Sequence, residues 1–271
     1  MNINKIKYLF LLLTFFLTSC EAVVNHYGFA PAVTNPTVRE DIPASVQELY
    51  LTTADQEKLQ CFFIANSKSG KIAVYFHGNA GNVYQRLPEL ASLAQTGVSV
   101  LGVGYRGYGK STGKPSEKGI TEDGRAALRH VTEKMGYRPE QIFVYGRSIG
   151  TVVAVSIARR KNLAGIILIT PLTSGRDMMR AHGLGLFAFI AGDSLNNLAK
   201  CREISSPVLI IHGTEDEVTP LRMGEQIFAA LNLPKEMVVI KGGNHNELEW
   251  KDPALYWNSI ANFVRTHGNG Q

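Results

Sequence analysis

The chain has 271 residues, 28 Lys+Arg against 23 Asp+Glu, and a formal charge of +5. With 45% hydrophobic and 19% charged residues, it can bury a substantial core, which excludes disordered and collagen-like chains. No long Lys/Arg run offers a nucleic-acid surface, and three cysteines (Cys20, Cys61, Cys201) are too few for a disulfide scaffold.

The excess charge starts at the N-terminus. Residues 1–20 read MNINKIKYLFLLLTFFLTSC: Lys5 and Lys7, an apolar run from Tyr8 to Leu17, then small residues. That pattern predicts a secretory signal peptide over 1–19, too short to span a bilayer comfortably. Leu17-Thr18-Ser19-Cys20 resembles the bacterial lipobox, in which the cysteine is lipidated and the peptide is cut just before it. An uncleaved N-terminal anchor is the alternative. Either way the protein is expected at the cell envelope, held to a membrane. Glu21 rather than Asp follows the cysteine, which favours the outer membrane and its periplasmic face. Without Lys5 and Lys7, the mature chain keeps 26 basic residues against 23 acids. The surplus therefore marks export more than an anionic partner.

Residues 20–44 read as the lipidated cysteine and an extended tether, with Pro31, Pro36 and Pro43. A single domain is predicted over 45–271. Gln47–Thr52 and Leu59–Ala65 read as an antiparallel pair. The further predicted strands are 71–76, 98–103, 141–145, 163–169, 208–211 and 237–240. The predicted helices are 84–95, 120–135, 149–161, 221–231 and 253–266, and 171–206 is irregular. Continuous apolar strands alternating with helices predict an α/β fold: a mostly parallel, twisted sheet covered on both faces.

Gly104-Tyr-Arg-Gly-Tyr-Gly-Lys-Ser111 matches the phosphate-loop pattern, and Gly102-Val-Gly-Tyr-Arg-Gly107 matches G-x-G-x-x-G. Both mechanisms need a helix N-terminus directly behind the loop. Here Thr112-Gly113-Lys114-Pro115 follows, so neither nucleotide nor dinucleotide binding is expected.

Gly146-Arg147-Ser148-Ile149-Gly150 lies between a predicted strand and a predicted helix. A strand-to-helix elbow strains the backbone at the serine and leaves no room for side chains beside it. A plain helix N-cap is the bland reading of Ser148. Serine needs a base, and the base needs an orienting carboxylate. In the order serine, acid, histidine, both should sit at the ends of later strands. Asp216 and His245 occupy those places, with Glu215 and Glu217 as competing acids. His212 reads as a loop-packing histidine; His26, His130, His182 and His267 read as surface. The loop His77-Gly78-Asn79-Ala80-Gly81-Asn82 follows an early strand and fits an oxyanion hole. One amide comes from Ile149, the other from Asn79 or, less favoured, Ala80. No metal-binding spacing is present and no cofactor is expected. Cys61 and Cys201 read as buried, with pairing left open.

These loops together resemble the α/β-hydrolase superfamily. More narrowly, HGNAGN, Y-R-G-Y-G-x-S, G-R-S-x-G and H-G-T-x-D are similar to those of its small membrane-associated branch. That branch holds serine aminopeptidase-like, lysophospholipase-like and depalmitoylase-like enzymes. The resemblance covers roughly residues 45–267. It implies Ser148 as nucleophile, Asp216 as acid, His245 as base, and oxyanion amides at Asn79 and Ile149. One departure stands out: Gly104 replaces the branch's usual Asp. The expected reaction is hydrolysis of a small acyl ester or thioester through an acyl-enzyme. A minimal lid over an open acyl groove is expected from 171–206, with Gly185–Ile190 as an apolar piece. The competing expectations are a peptidase of the same fold, which needs an acidic pocket for an amine, and a non-catalytic envelope lipoprotein.

Overall fold

A computed structural model describes residues 28–32 and 45–268. The leader, Cys20 and most of the tether lie outside the described residues. The strands, in chain order, are β1 (Ala30–Pro31), β2 (Val46–Thr52), β3 (Lys58–Ile64), β4 (Ile72–Phe76), β5 (Ala80–Gly81), β6 (Ser99–Val103), β7 (Ile142–Arg147), β8 (Gly165–Ile169), β9 (Val208–Gly213) and β10 (Lys235–Ile240). Eight of them form one sheet in the order β10-β9-β8-β7-β4-β6-β3-β2. The six from β10 to β6 are parallel, and β3 and β2 are antiparallel additions at one edge.

The continuous apolar strands are explained by cover on both faces. Side chains alternate along each strand, so Ile72, Val74 and Phe76 enter one core and Ala73 and Tyr75 the other. Helices α2 (Glu117–Arg129), α3 (Gly150–Ala158) and α6 (Leu221–Ala230) pack on the first face. Helices α1 (Leu87–Gln95) and α8 (Pro253–His267) cover the second. Three short helices complete the set: α4 (Gly175–Ala181), α5 (Asn197–Cys201) and α7 (Leu248–Lys251).

Several predicted boundaries shift for local reasons. The helix expected over 84–95 begins instead as a 3-10 turn at Val83–Arg86, capped by Asn82. Pro88 has no N–H to donate, so the α-helix starts beside it at Leu87. The helix expected over 120–135 starts earlier, where the Ser116 side chain accepts from Gly119 N–H. It ends in a π turn at His130–Lys134. The stretch expected to be irregular contains α4, capped by Ser174, a 3-10 segment at Gly185–Ala191, and α5, capped by Asn196.

One expectation needs correcting. The tether is not free at 28–32: β1 pairs with β5, and Ala32 O accepts from Gly109 N–H. Cys61 and Cys201 are both buried and free, and burial pushes each thiol up to about 12. Among the described residues no helix is long and apolar enough to cross a membrane.

Candidate active site

The elbow forms where β7 runs into α3. Ser148 has φ +53°, a left-handed conformation that costs a non-glycine residue about 1–3 kcal/mol. Its N–H donates to Ile169 O at 2.9 Å, and its carbonyl accepts from Thr151 N–H at 2.9 Å. The flanking glycines are required by contact. A Cβ at Gly146 would lie 2.5 Å from Gly150 O, and one at Gly150 would lie 2.2 Å from Phe76 O. This is a strained elbow, not an ordinary N-cap.

His245 Nε2 stands 2.9 Å from Ser148 Oγ, and its Nδ1 stands 2.9 Å from Asp216 Oδ2. The structure therefore brings together the three residues expected from sequence, and Asp216 rather than Glu215 or Glu217 faces the histidine. Val218 N–H and Thr219 N–H donate to Asp216 Oδ1 at 3.0 and 2.8 Å, and the Thr219 hydroxyl donates to Oδ2 at 2.9 Å. Burial works to raise the Asp216 pKa. Hydrogen bonds from His212 and His245, the charge on His245 and the Thr219 N–H outweigh it and hold the carboxyl well below the usual range. His212 is buried, with Nε2 2.6 Å from Thr219 O and 3.3 Å from Asp216 Oδ2. It packs the loop, as expected, and also serves the acid.

Arg147, the variable letter of the elbow motif, is buried beneath the histidine loop. It pairs with Glu89 at 3.2 Å and Glu249 at 2.8 Å, and its Nη2 donates to His245 O at 3.5 Å. Burial lowers its pKa, but Glu89, Tyr256 and Glu249 outweigh that, so it stays charged. Tyr75 and Tyr145 donate to the two oxygens of Glu89. Thr219 and Arg147 were not singled out in the sequence. Thr219 had a signal, standing three residues after an aspartate in a turn. Arg147 had only its place beside Ser148.

The HGNAGN loop is braced from two sides. Asn79 Oδ1 accepts from Ala30 N–H at 2.8 Å and from the Tyr108 hydroxyl at 3.0 Å. Tyr105 donates to His77 O at 2.8 Å. His77 is fully buried, and burial takes its pKa down to about 3, leaving it neutral. The glycine-rich segment after β6 thus supports this loop. Its Arg106 pairs with Asp55 and Asp123, and the next helix along the chain begins only at Glu117. The Gly104 departure has a local cause, since a Cβ there would lie 2.6 Å from Gln60 O.

Asn79, Ser148 and Ile149 line one cavity of about 620 Å³. Its remaining wall is mostly apolar, with Leu172, Met178, Met179, Leu184, Phe187 and Leu195 from the stretch over the site. His182 is exposed, as expected, yet it also lines this wall, with Nε2 3.0 Å from Val218 O. Three other clefts, of about 750, 830 and 730 Å³, are larger; the first two lie away from the triad, and the third lies on the outer side of Asp216 and His245 and does not include Ser148 among its described lining residues. Chemistry rather than size marks the site. Among the described residues no group of three or more His, Cys, Asp or Glu side chains could hold a metal ion.

A mostly parallel eight-stranded sheet, with a serine on the strand-to-helix elbow and its acid and histidine on later strand ends, defines an α/β hydrolase. The chain belongs to that superfamily and is a hydrolase. It is similar to human alpha/beta hydrolase domain-containing protein 17B, with 37% identity over 205 residues covering 74% of this chain and 70% of that protein. It is likewise similar to mouse alpha/beta hydrolase domain-containing protein 17C, at 34% over 222 residues, 81% of this chain and 68% of that protein. The family described as serine aminopeptidase, S33, matches residues 67–200, ending before Asp216 and His245. An esterase from Pyrococcus furiosus shares the fold with a TM-score of 0.70 at 20% identity, over 88% of this chain and 97% of that one.

Proposed function

We propose that this chain is a serine hydrolase of carboxylic esters or thioesters with an apolar acyl group. Ser148 Oγ attacks the carbonyl carbon while its proton passes to His245 Nε2. Asp216 stays ionised and steadies the imidazolium. Backbone N–H groups of Asn79 and Ile149 flank the serine and carry the oxyanion. The tetrahedral adduct expels an alkoxide or thiolate, which takes the proton from His245. A water then gives a proton to His245 as it attacks the acyl-enzyme carbonyl, and the second tetrahedral adduct breaks its bond to Ser148 Oγ, which takes that proton back from His245 as the acid leaves.

The observation that carries this reading is the relay from Ser148 through His245 to Asp216, with both steps at 2.9 Å, whose Ser148 end opens into a mostly apolar cavity. The same cavity favours esters over N-terminal peptides, because no carboxylate of the described residues lines it, while Glu215, Glu217 and Glu247 line a separate cleft on the outer side of Asp216 and His245. Asp177 is taken up by Thr173, Ser174 and Arg180, and Asp193 by Asn196. Attachment to the envelope membrane through Cys20 belongs to the same proposal and is supported by the lipobox-like sequence.

Labelling with a fluorophosphonate tests the nucleophile. Wild type is labelled and Ser148→Ala is not; labelling of both, or of neither, overturns the assignment. Hydrolysis of p-nitrophenyl esters of increasing chain length tests the substrate class, and no turnover of any ester refutes it.

A further inference from the structure

The stretch over the site turns apolar side chains outward. Leu184, Leu186, Phe187 and Phe189 are 50%, 89%, 53% and 66% exposed. Scattered apolar residues are ordinary on a protein surface, whereas four on one short segment mark a contact. Ala188 and Ala191 of the same segment are buried and hold it down. Leu184 and Phe187 also line the catalytic cavity, so outer patch and cavity wall are one continuous apolar surface ending at Ser148.

The course of the chain says what lies against that surface. Gly28 lines the same cavity, and Ala30–Pro31 are fixed beside it by pairing with Ala80–Gly81. Eight peptide steps back from Gly28 is Cys20. At about 3.5 Å per residue they reach at most roughly 28 Å. A membrane that holds Cys20 is therefore never far from the cavity mouth. Arg176 and Arg180 stand exposed on α4, which leads into the patch; Arg180 pairs with Asp177 at 2.9 Å, leaving Arg176 for a lipid headgroup, and the exposed Asp193 on the far side of the patch is bonded by Asn196. A cation beside an apolar patch suits an interface with anionic lipid.

We infer that the Leu184–Phe189 segment is a membrane-docking surface, resting on a bilayer that contains anionic lipid and opening the catalytic cavity toward the acyl layer. Its geometry rests on the anchoring proposed above, and its use on the hydrolase reading. The apolar patch itself depends on neither. A second copy of the chain, or another protein, is the competing occupant.

The test uses the full chain in phosphatidylcholine vesicles with and without phosphatidylglycerol. An environment-sensitive fluorophore is placed at Leu186→Cys and, as the control at the amino ends of the strands, opposite the site, at Lys161→Cys. In floated vesicles the label at 186 is expected to shift to the blue and to be quenched by a lipid-borne spin label, more so with phosphatidylglycerol. The label at 161 does neither. A label at 186 that stays in water while the chain floats, or a chain that does not float, overturns the proposal. So does shielding of the 186 label that grows with protein concentration in the absence of vesicles, which marks self-association. Cys20→Ser separates the readings: if this variant still carries the 186 label into the bilayer, the surface docks without the anchor and stands apart from the anchoring proposal. Docking without hydrolysis of any ester refutes the hydrolase reading alone. In a second measurement, the double variant Leu186→Ser, Phe189→Ser should lose about tenfold on a long-chain ester embedded in vesicles. Its turnover of soluble p-nitrophenyl acetate should stay unchanged, and equal loss on both substrates counts against docking.

Discussion

Behind Ser148, in the floor of the site, Arg147, Asp216 and His245 are buried, and each is held by several hydrogen bonds. On the cover, Leu186 and Phe189 face outward, and Leu184 and Phe187 bridge solvent and cavity. The floor is a polar network that tolerates no missing partner, because an unpaired buried charge is costly. The cover is an apolar surface whose parts are nearly interchangeable. On the proposed reading, chemistry and substrate choice sit on regions expected to respond differently to mutation.

The largest expected effect lies on the floor. Asp216→Asn leaves the shape but supplies the wrong hydrogen-bond pattern to His245, so kcat for p-nitrophenyl butyrate falls roughly 10⁴-fold. A loss below about tenfold would remove Asp216 from the relay. Next comes Arg147→Met, which strands Glu89 and Glu249. It should cost about 3–5 kcal/mol in urea unfolding, with kcat reduced through the His245 loop. On the cover, Phe187→Ala should lower kcat/KM for long-chain esters by about tenfold and leave acetate esters nearly untouched. If it hurts both alike, the cover is part of the chemistry and the contrast fails.

The pH dependence sharpens the same contrast. His77 is neutral in the fold, its pKa near 3 against about 6.5 unfolded. Between those values the unfolded chain binds the extra proton, so stability falls as pH drops from about 6.5 toward 3. The slope from this one group reaches about 1.4 kcal/mol per pH unit. Asp216, lowered in the fold, adds a loss in the same direction as pH falls through the unfolded carboxylate range toward its folded value. Thermal melts should show the decline, and His77→Gln should flatten its upper part. The smallest effect is expected from Tyr108→Phe, about 1 kcal/mol, through the lost bond to Asn79.

Most of the sheet was legible because Ile72–Phe76, Ile142–Tyr145 and Gly165–Ile169 are buried on both faces and read as unbroken apolar runs. Ser148, Asp216 and His245 were legible because strand ends put them in a fixed order along the chain. The cover helices were not, since α4 and α5 have seven and five residues, too short for a helical period to show. Arg147 was hidden because its partners, Glu89 and Glu249, lie 58 and 102 positions away. Composition pointed to a plain linker at 28–32, where proline and alanine say nothing of the loop they meet.

That short strand has a consequence for the order of folding. Ala30 pairs with a loop 49 positions downstream, so the stretch synthesised first waits for strands made later before it finds its place. Closing so long a loop for two residue pairs brings little return until β4 and its loop are already set. The sheet can therefore assemble with the nucleophile elbow in position while Asn79 still lacks one of its two braces. Seating of the 28–32 strand against the HGNAGN loop is thus a step that formation of the sheet does not require.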